Sequence, residues 1–488
     1  MAGSLQHKTV RALLWSFLQS VVQKGLQLVI GIILARLLFP EQFGLIGMLA
    51  IFMAVIQAFL DSGFGAALIQ KREVTRTDTC SVFYFNILVG LLAAGFLSLV
   101  APWIAAFYNQ PILAPLTRAL SLTLVINSFG MVQRTMLTKQ IDFKAQTQVG
   151  LIAGALSGIA GITLAVMNFG VWSLVAQQIS AAFVSTVCLW AFSPWRPALI
   201  FSFKALGDMF GFGSRLLLSS VLNQIFENIY LVVIGKLFSV TDVGFFARAK
   251  TLNDIPSQTL SEMAGRVMFP VFSTIQDDPA RLKVGFKKAL TFLGLVNFPM
   301  MIGLAVVAHP LVLVLLTDKW VPCVEYFQLL CVGGVLYPLH AMNLNMLQAL
   351  GRSDLFLRLE IIKKVLLVVS IVLTWQWGIS AMIAGMIGVS IIACYLNSYY
   401  SGVLVNYPIT EQGSAVLPYL IVSGSMGSAM YAIGLLTFPN QWSLLLVQFA
   451  GGSILYVCLC RAFRLAAFME VWQAMSNRMP FVAAGTSR

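Results

Sequence analysis

The sequence predicts an all-α integral membrane protein with about 14 transmembrane helices, in two pseudo-twofold six-helix lobes plus a C-terminal helix pair. Three observations predict it. The 488-residue chain is 59% hydrophobic and only 10% charged, with a mean hydropathy of +0.87. Its apolar segments repeatedly exceed the roughly 18 residues that mark a membrane span. A motif early in the chain also recurs 200 residues later. The short alternating segments of a transmembrane β-barrel are not visible.

Apolar runs broken by short polar turns place the spans in order. The first six fall at 12–35, 43–69, 79–107, 114–137, 146–168 and 170–192, a lobe over 1–192. The first segment is too long for a signal-peptide core and lacks a small-residue cleavage site, so it reads as a retained helix. SPWRPALIFSFKALGD makes a cytoplasmic connector over 193–209. The second lobe, 210–403, holds spans at 210–235, 243–274, 286–317, 323–349, 357–378 and 380–403. An additional helix pair, 415–437 and 443–464, lies within 404–465. The tail 466–488 contains LAAFMEVWQAMSNRMPF, too polar to span and suited to lie along the interface as an amphipathic helix.

Charge placement sets the expected orientation. Of the 31 lysines and arginines, 22 lie in alternate loops and span ends beginning with the N-terminus, whereas the opposite loops hold Arg36, Lys236 and Lys319. Both termini are therefore expected in the cytoplasm. The same segregation accounts for the net charge of +13 without nucleic acid. Seven scattered cysteines and three isolated histidines lack ligand spacing, so neither a disulfide framework, a metal site nor a cofactor is expected.

The internal repeat aligns LARLLFPEQFGL with IGKLFSVTDVGF without a gap, setting Arg36 over Lys236, Leu37 over Leu237 and Gly44 over Gly244. Six spans per unit is an even number, so the copies share one orientation and a binding site is expected between two lobes. The repeat breaks where Arg248, Lys250 and Asp254 stand opposite Met48, Ala50 and Ala54. A charge in hydrocarbon costs about 2.5–3.5 kcal/mol on insertion scales, so such residues face a wet cavity or a partner. Lys250 and Asp254 are four apart, as are Glu262 and Arg266, which lets each pair meet on one helix face. Arg248 has Leu252 at that spacing, and Lys24 sits mid-span among Gln19, Gln23 and Gln27. Lysine and arginine lining a wet cleft suit an anionic group such as pyrophosphate. Bulky apolar surface beside them suits a lipid tail. Asp61 and Arg266, near span ends, read as gating or packing residues.

At these residues the chain resembles the bacterial polysaccharide flippases, particularly the colanic-acid-exporter-like branch of the multidrug/oligosaccharidyl-lipid/polysaccharide exporter superfamily. The resemblance rests on LARLLFPEQFGLIGM, FLDSGFGAALIQKRE, VIGKLFSVTDVGFFARAKTL, GRVMFPVFSTIQDD, FPMMIGLAVVAHPLVLVLLTDKW and LQALGRSDLFLRL, and covers about residues 10–400. It implies export of undecaprenyl-pyrophosphate-linked sugar repeat units across the bacterial inner membrane, for exopolysaccharide or lipopolysaccharide biosynthesis. It also implies working partners in a polysaccharide polymerase and chain-length machinery. The role of holding the pyrophosphate carries over to Arg248 within GFFARAK and more loosely to Lys250. Lys24 joins them from its depth and periodicity. Where the family has an acid before the I-G-basic turn this chain has Tyr230, which leaves Glu227 and Asp254 as candidates for ion coupling or charge balance.

Two other classes compete. A multidrug exporter of the same superfamily takes cations and would want acids in its cleft, whereas bases are in excess here. A membrane polysaccharide polymerase or glycosyltransferase needs acid–base groups on a sizeable extramembrane loop. The outer loops, such as YNQP and TFPNQW, are only a few residues long. A chain without a Walker-type phosphate loop is also not expected to hydrolyse ATP itself.

Overall fold

The computed structural model describes residues 22–61 and 63–476, and they are all-helical, with no strand among them. The first helix, α1, is described over 22–37. It is followed by α2 (Pro40–Asp61), α3 (Phe64–Gln70), α4 (Arg76–Tyr108), α5 (Leu113–Ser128), α6 (Met131–Lys139), α7 (Phe143–Val166) and α8 (Val171–Phe192). Then come α9 (Phe203–Leu237), α10 (Val240–Thr274), α11 (Pro279–Val306), α12 (Ala308–Leu315) and, after a 3-10 turn at Asp318–Trp320, α13 (Cys323–Ala349). The rest are α14 (Ser353–Thr374), α15 (Ile379–Val405), α16 (Ile409–Gly434), α17 (Gln441–Ala462) and α18 (Ala466–Ser476).

Among the described residues, ten helices are long and apolar enough to cross a membrane, and an eleventh if α5 and α6, bent by 45°, make one span. Helices α10 and α14 are as long but carry more charge. The protein is thus a multi-pass membrane protein. Of the expected connector, only the part up to Ser202 is non-helical, because α9 begins at Phe203. That segment is pinned along the start of α4. Trp195 Nε1 donates to Thr79 Oγ1 at 3.0 Å, and the Ser202 amide donates to Ser81 Oγ at 2.8 Å.

The chain divides into two compact units, Met1–Ala247 and Arg248–Arg488. The division falls inside α10 and puts α9 with the first unit, whereas the repeat draws its second lobe from residue 210. The reason lies at the two repeat turns. A Cβ built on Gly44 would sit 1.8 Å from the Val240 carbonyl oxygen, and one built on Gly244 would sit 2.0 Å from that of Pro40. Residues 200 positions apart thus make reciprocal contacts, and α2 and the start of α10 touch backbone to backbone. The caps repeat as well. Gln42 Oε1 accepts from the Phe39 amide, and Asp242 Oδ2 accepts from the Ser239 amide, each at 3.2 Å. The Asp242 amide donates back to Ser239 Oγ, completing a capping box that the first copy, with Phe39, cannot make.

In the first unit, α7 receives α1 along a ladder of Gly150, Gly154 and Gly158. A Cβ at these positions would lie 1.5 Å from Gln23 Nε2, 3.0 Å from Leu26 Cδ2 and 2.4 Å from Ile30 Cδ1. Small residues at i, i+4 and i+8 are what close helix packing in a membrane requires. On α4, Leu88, Leu92, Phe96, Leu99 and Trp103 form an exposed apolar stripe at helical spacing, the lipid-facing side.

The second unit packs α11, α13, α15 and α16 around a core that includes Phe272, Phe286, Phe298, Met342, Tyr407 and Tyr419. Helix α18 is amphipathic, as expected of LAAFMEVWQAM. Its Glu470 meets Lys288 of α11 at 2.9 Å, and its Trp472 lies under the Arg461 guanidinium.

Three prolines inside the spans, Pro102, Pro299 and Pro338, share one arrangement. Each leaves the carbonyl four residues earlier without its helical N–H. Pro338 frees the Gly334 carbonyl, which accepts from Asn297 Nδ2 at 3.0 Å. Pro299 frees that of Leu295, which accepts from Tyr456 Oη at 2.7 Å. Pro102 frees that of Ser98, reached by Arg118 Nε at 3.5 Å. In these three cases a neighbouring helix supplies the missing donor, as a water-free environment demands.

Candidate functional site

The charged run on α10 is real helix, and its parts have different surroundings. Lys250 Nζ and Asp254 Oδ2 meet at 2.7 Å, the i, i+4 pair expected from spacing. Asn253 Nδ2 donates to the other oxygen of Asp254 at 3.1 Å, so the carboxylate is held from two sides. Arg248 lies only two residues from Lys250 and therefore faces elsewhere on the helix. It is 7% exposed, with its guanidinium carbon 5.4 Å from the ring centroid of Trp320, itself fully buried in the 3-10 turn. The contact has cation–π geometry. Arg248 and Lys250 thus do not share a surface in this structure. Further along α10, Glu262 and Arg266 are exposed.

Other candidates are dispersed. Lys24 is half-buried on α1, Glu227 is exposed on α9, and Asp61 closes α2, its side chain outside the described set. Tyr230, just before the I-G-basic turn, is buried and stacks on Phe246 with ring centroids 6.1 Å apart.

The first unit contains a cavity of about 800 Å³, within the roughly 300–1,000 Å³ of small-molecule sites. Carboxamides line it: Gln23 and Gln27 of α1, Gln57 of α2, Asn127 of α5, and Gln177 and Gln178 of α8. Asn127 Nδ2 donates to Gln57 Oε1 at 3.2 Å, tying two walls together. Among the described residues, Arg134 is the one charged lining residue, 3.5 Å from Ser185 Oγ, and no aspartate or glutamate lines the space. Lys24, beside Gln23 in the chain, is not part of the lining. Among the described residues no His, Cys, Asp or Glu cluster could hold a metal.

Residues 33–325, more than half of the chain, match the polysaccharide biosynthesis protein family. The chain belongs to that family. This polysaccharide biosynthesis protein is 29% identical to the lipopolysaccharide biosynthesis protein WzxC of Escherichia coli, over 86% of this chain and 84% of the relative. It is 26% identical to the teichuronic acid biosynthesis protein TuaB of Bacillus subtilis, over 83% and 85% respectively. Its fold is similar to that of the lipid II flippase MurJ in an inward closed conformation. The TM-score is 0.77 at 14% identity, covering 92% of this chain and 98% of the other. An inward-facing MATE-family multidrug transporter of the MOP superfamily gives a TM-score of 0.63 at 16% identity, over 79% and 94%. The family expected from the motifs is therefore the family found.

Of the cavity amides in this polysaccharide biosynthesis protein, the sequence drew attention to Gln23 and Gln27, which share a polar face of α1. Gln57, Asn127 and the Gln177–Gln178 pair went unmarked, since each stands within an apolar helix and only the fold brings them to one space.

Proposed function

We propose that this protein moves undecaprenyl-pyrophosphate-linked oligosaccharide repeat units from the cytoplasmic to the periplasmic leaflet by alternating access of two lobes. Fourteen spans carry this reading, with α1, α10 and α14 crossing in addition to the apolar helices. The lobes are 1–192 and 210–403, and both termini lie in the cytoplasm of a bacterial inner membrane. A polysaccharide polymerase and chain-length machinery are the proposed downstream partners. The observation that carries the reading is the amide-lined cavity within a member of this family, without a carboxylate among the described residues of its lining. A space of that chemistry suits a neutral or anionic hydrophilic headgroup and offers a cation no counter-charge. That argues against the multidrug alternative despite its shared fold.

In this reading Lys24 and Lys250, both half-buried, meet the pyrophosphate. Arg248, shut against Trp320, joins them when that turn moves. Asp254 and Glu227 serve ion coupling or charge balance, and Asp61 and Arg266 serve gating or packing. The test is complementation of a flippase-deleted bacterium at matched membrane levels. Wild type restores polymer export, and Lys24→Ala and Arg248→Ala each lower it by about tenfold or more, the loss of one charge-assisted hydrogen bond. Normal export by both variants removes the basic-site assignment and leaves the export reading standing. Failure of wild type in hosts offering several repeat units shifts the reading to drug export, measured next by dye efflux.

A further inference from the structure

The amide cavity of the first unit has a chemistry that narrows its occupant. Six carboxamides, from α1, α2, α5 and α8, point to one space inside a membrane protein. Five of them are half-buried and Gln27 is exposed, so their donors and acceptors are open to a polar occupant of the space. Each carboxamide presents donors and an acceptor together, the same complement that a sugar hydroxyl presents. Leu26, Ile30, Leu49 and Met53 supply apolar wall between them, suited to the C–H faces of a pyranose. Two of the amides, Gln57 and Asn127, are already bonded to each other, which fixes their orientation before a ligand arrives. The glycine ladder of α7 brings α1, and with it Gln23, hard against α7, whose Gly150 and Gly154 share the lining.

From this geometry we infer that the cavity is the glycan-reading site, binding the oligosaccharide part of the exported lipid and selecting which repeat unit passes. The inference rests on the export reading and deepens it: the bases handle the pyrophosphate, and the amides handle the sugar. Arg134, in the same lining, faces an acidic substituent on the glycan. Selection follows from the amides. A site that hydrogen-bonds a hydroxyl discriminates far more strongly against a ligand lacking it than an apolar pocket does against an added one.

The test uses the native host with the gene deleted and supplied on a plasmid. A photo-crosslinking phenylalanine analogue is placed at Asn127, at Gln178 and, as a control, at the lipid-facing Leu92, with the host's glycan radiolabelled. Sugar label is expected on the protein from Asn127 and Gln178 and not from Leu92. In parallel, Asn127→Leu and Gln178→Leu are expected to lower export about tenfold each at normal membrane levels, the worth of one or two neutral hydrogen bonds. Wild-type export by both leucine variants, together with no more label from the cavity than from Leu92, overturns the glycan site while wild-type rescue keeps the export reading intact. Absence of rescue by wild type itself overturns the export reading, and this inference with it.

Discussion

Asn297, Tyr456 and Arg118 meet a demand set by prolines on other helices. In water a carbonyl freed by proline would bond solvent, but in a membrane interior a side chain must do so. Asn297 is 1% exposed and bridges the Gly334 and Val335 carbonyls at 3.0 and 2.9 Å. Replacing it by leucine leaves the Gly334 carbonyl without a donor, which costs about 1–3 kcal/mol. Pro338→Ala supplies a backbone N–H at position 338 that reaches the same carbonyl. The expected outcome in detergent is a lower melting temperature for Asn297→Leu and recovery of most of the loss in the Asn297→Leu, Pro338→Ala double variant. Simple additivity of the two would disconnect Asn297 from the proline. Arg118 shows why such roles escape a reading along the chain: its target, Ser98, lies on the preceding helix, and no local spacing marks the pair.

At the scale of elements, the two repeat turns act as one joint. Gly44 and Gly244 each leave room for a carbonyl of the other copy, so a methyl at either position forces α2 and α10 apart. Overpacking of this kind costs about 1–3 kcal/mol. Both contacts belong to one crossing, so once the first methyl has opened it the second meets less resistance. Gly44→Ala and Gly244→Ala are each expected to lower the thermal midpoint, and the double variant to fall short of their sum. Fully additive losses would mean that the two contacts yield independently. The register of this joint was legible, because Arg36, Leu37 and Gly44 align with Lys236, Leu237 and Gly244 in an ungapped run. Its closure was not, since which backbone a glycine admits is a property of the assembled pair. The charged run of α10 was legible in the same partial way. Spacing gave the Lys250–Asp254 pair, while the burial of Arg248 depends on Trp320, 72 residues on and in another segment.

For the whole molecule, hydropathy carried most of the architecture. The expected helices at 79–107, 170–192, 323–349 and 380–403 fall within a few residues of α4, α8, α13 and α15. The cavity was mostly illegible for the converse reason: one amide in an apolar segment leaves its hydropathy almost unchanged, and only convergence in space gives it meaning. Orientation is the remaining property of the entire chain, and it rests on the distribution of bases between alternate loops. The bilayer and insertion machinery favour keeping lysine and arginine on the cytoplasmic side. The α6–α7 turn, flanked by Lys139 and Lys144, is thus expected inside, and the turn at Trp375–Trp377 outside. Gln140 and Gln376 are both exposed, so cysteine at either position is open to a thiol reagent. With the exposed Cys458 replaced by alanine, a membrane-impermeant maleimide applied to spheroplasts is expected to label Gln376→Cys at once and Gln140→Cys only after lysis. The reverse pattern would invert the topology and put the bases of α11 and α14 on the outer face, against the charge rule that sets the expected orientation.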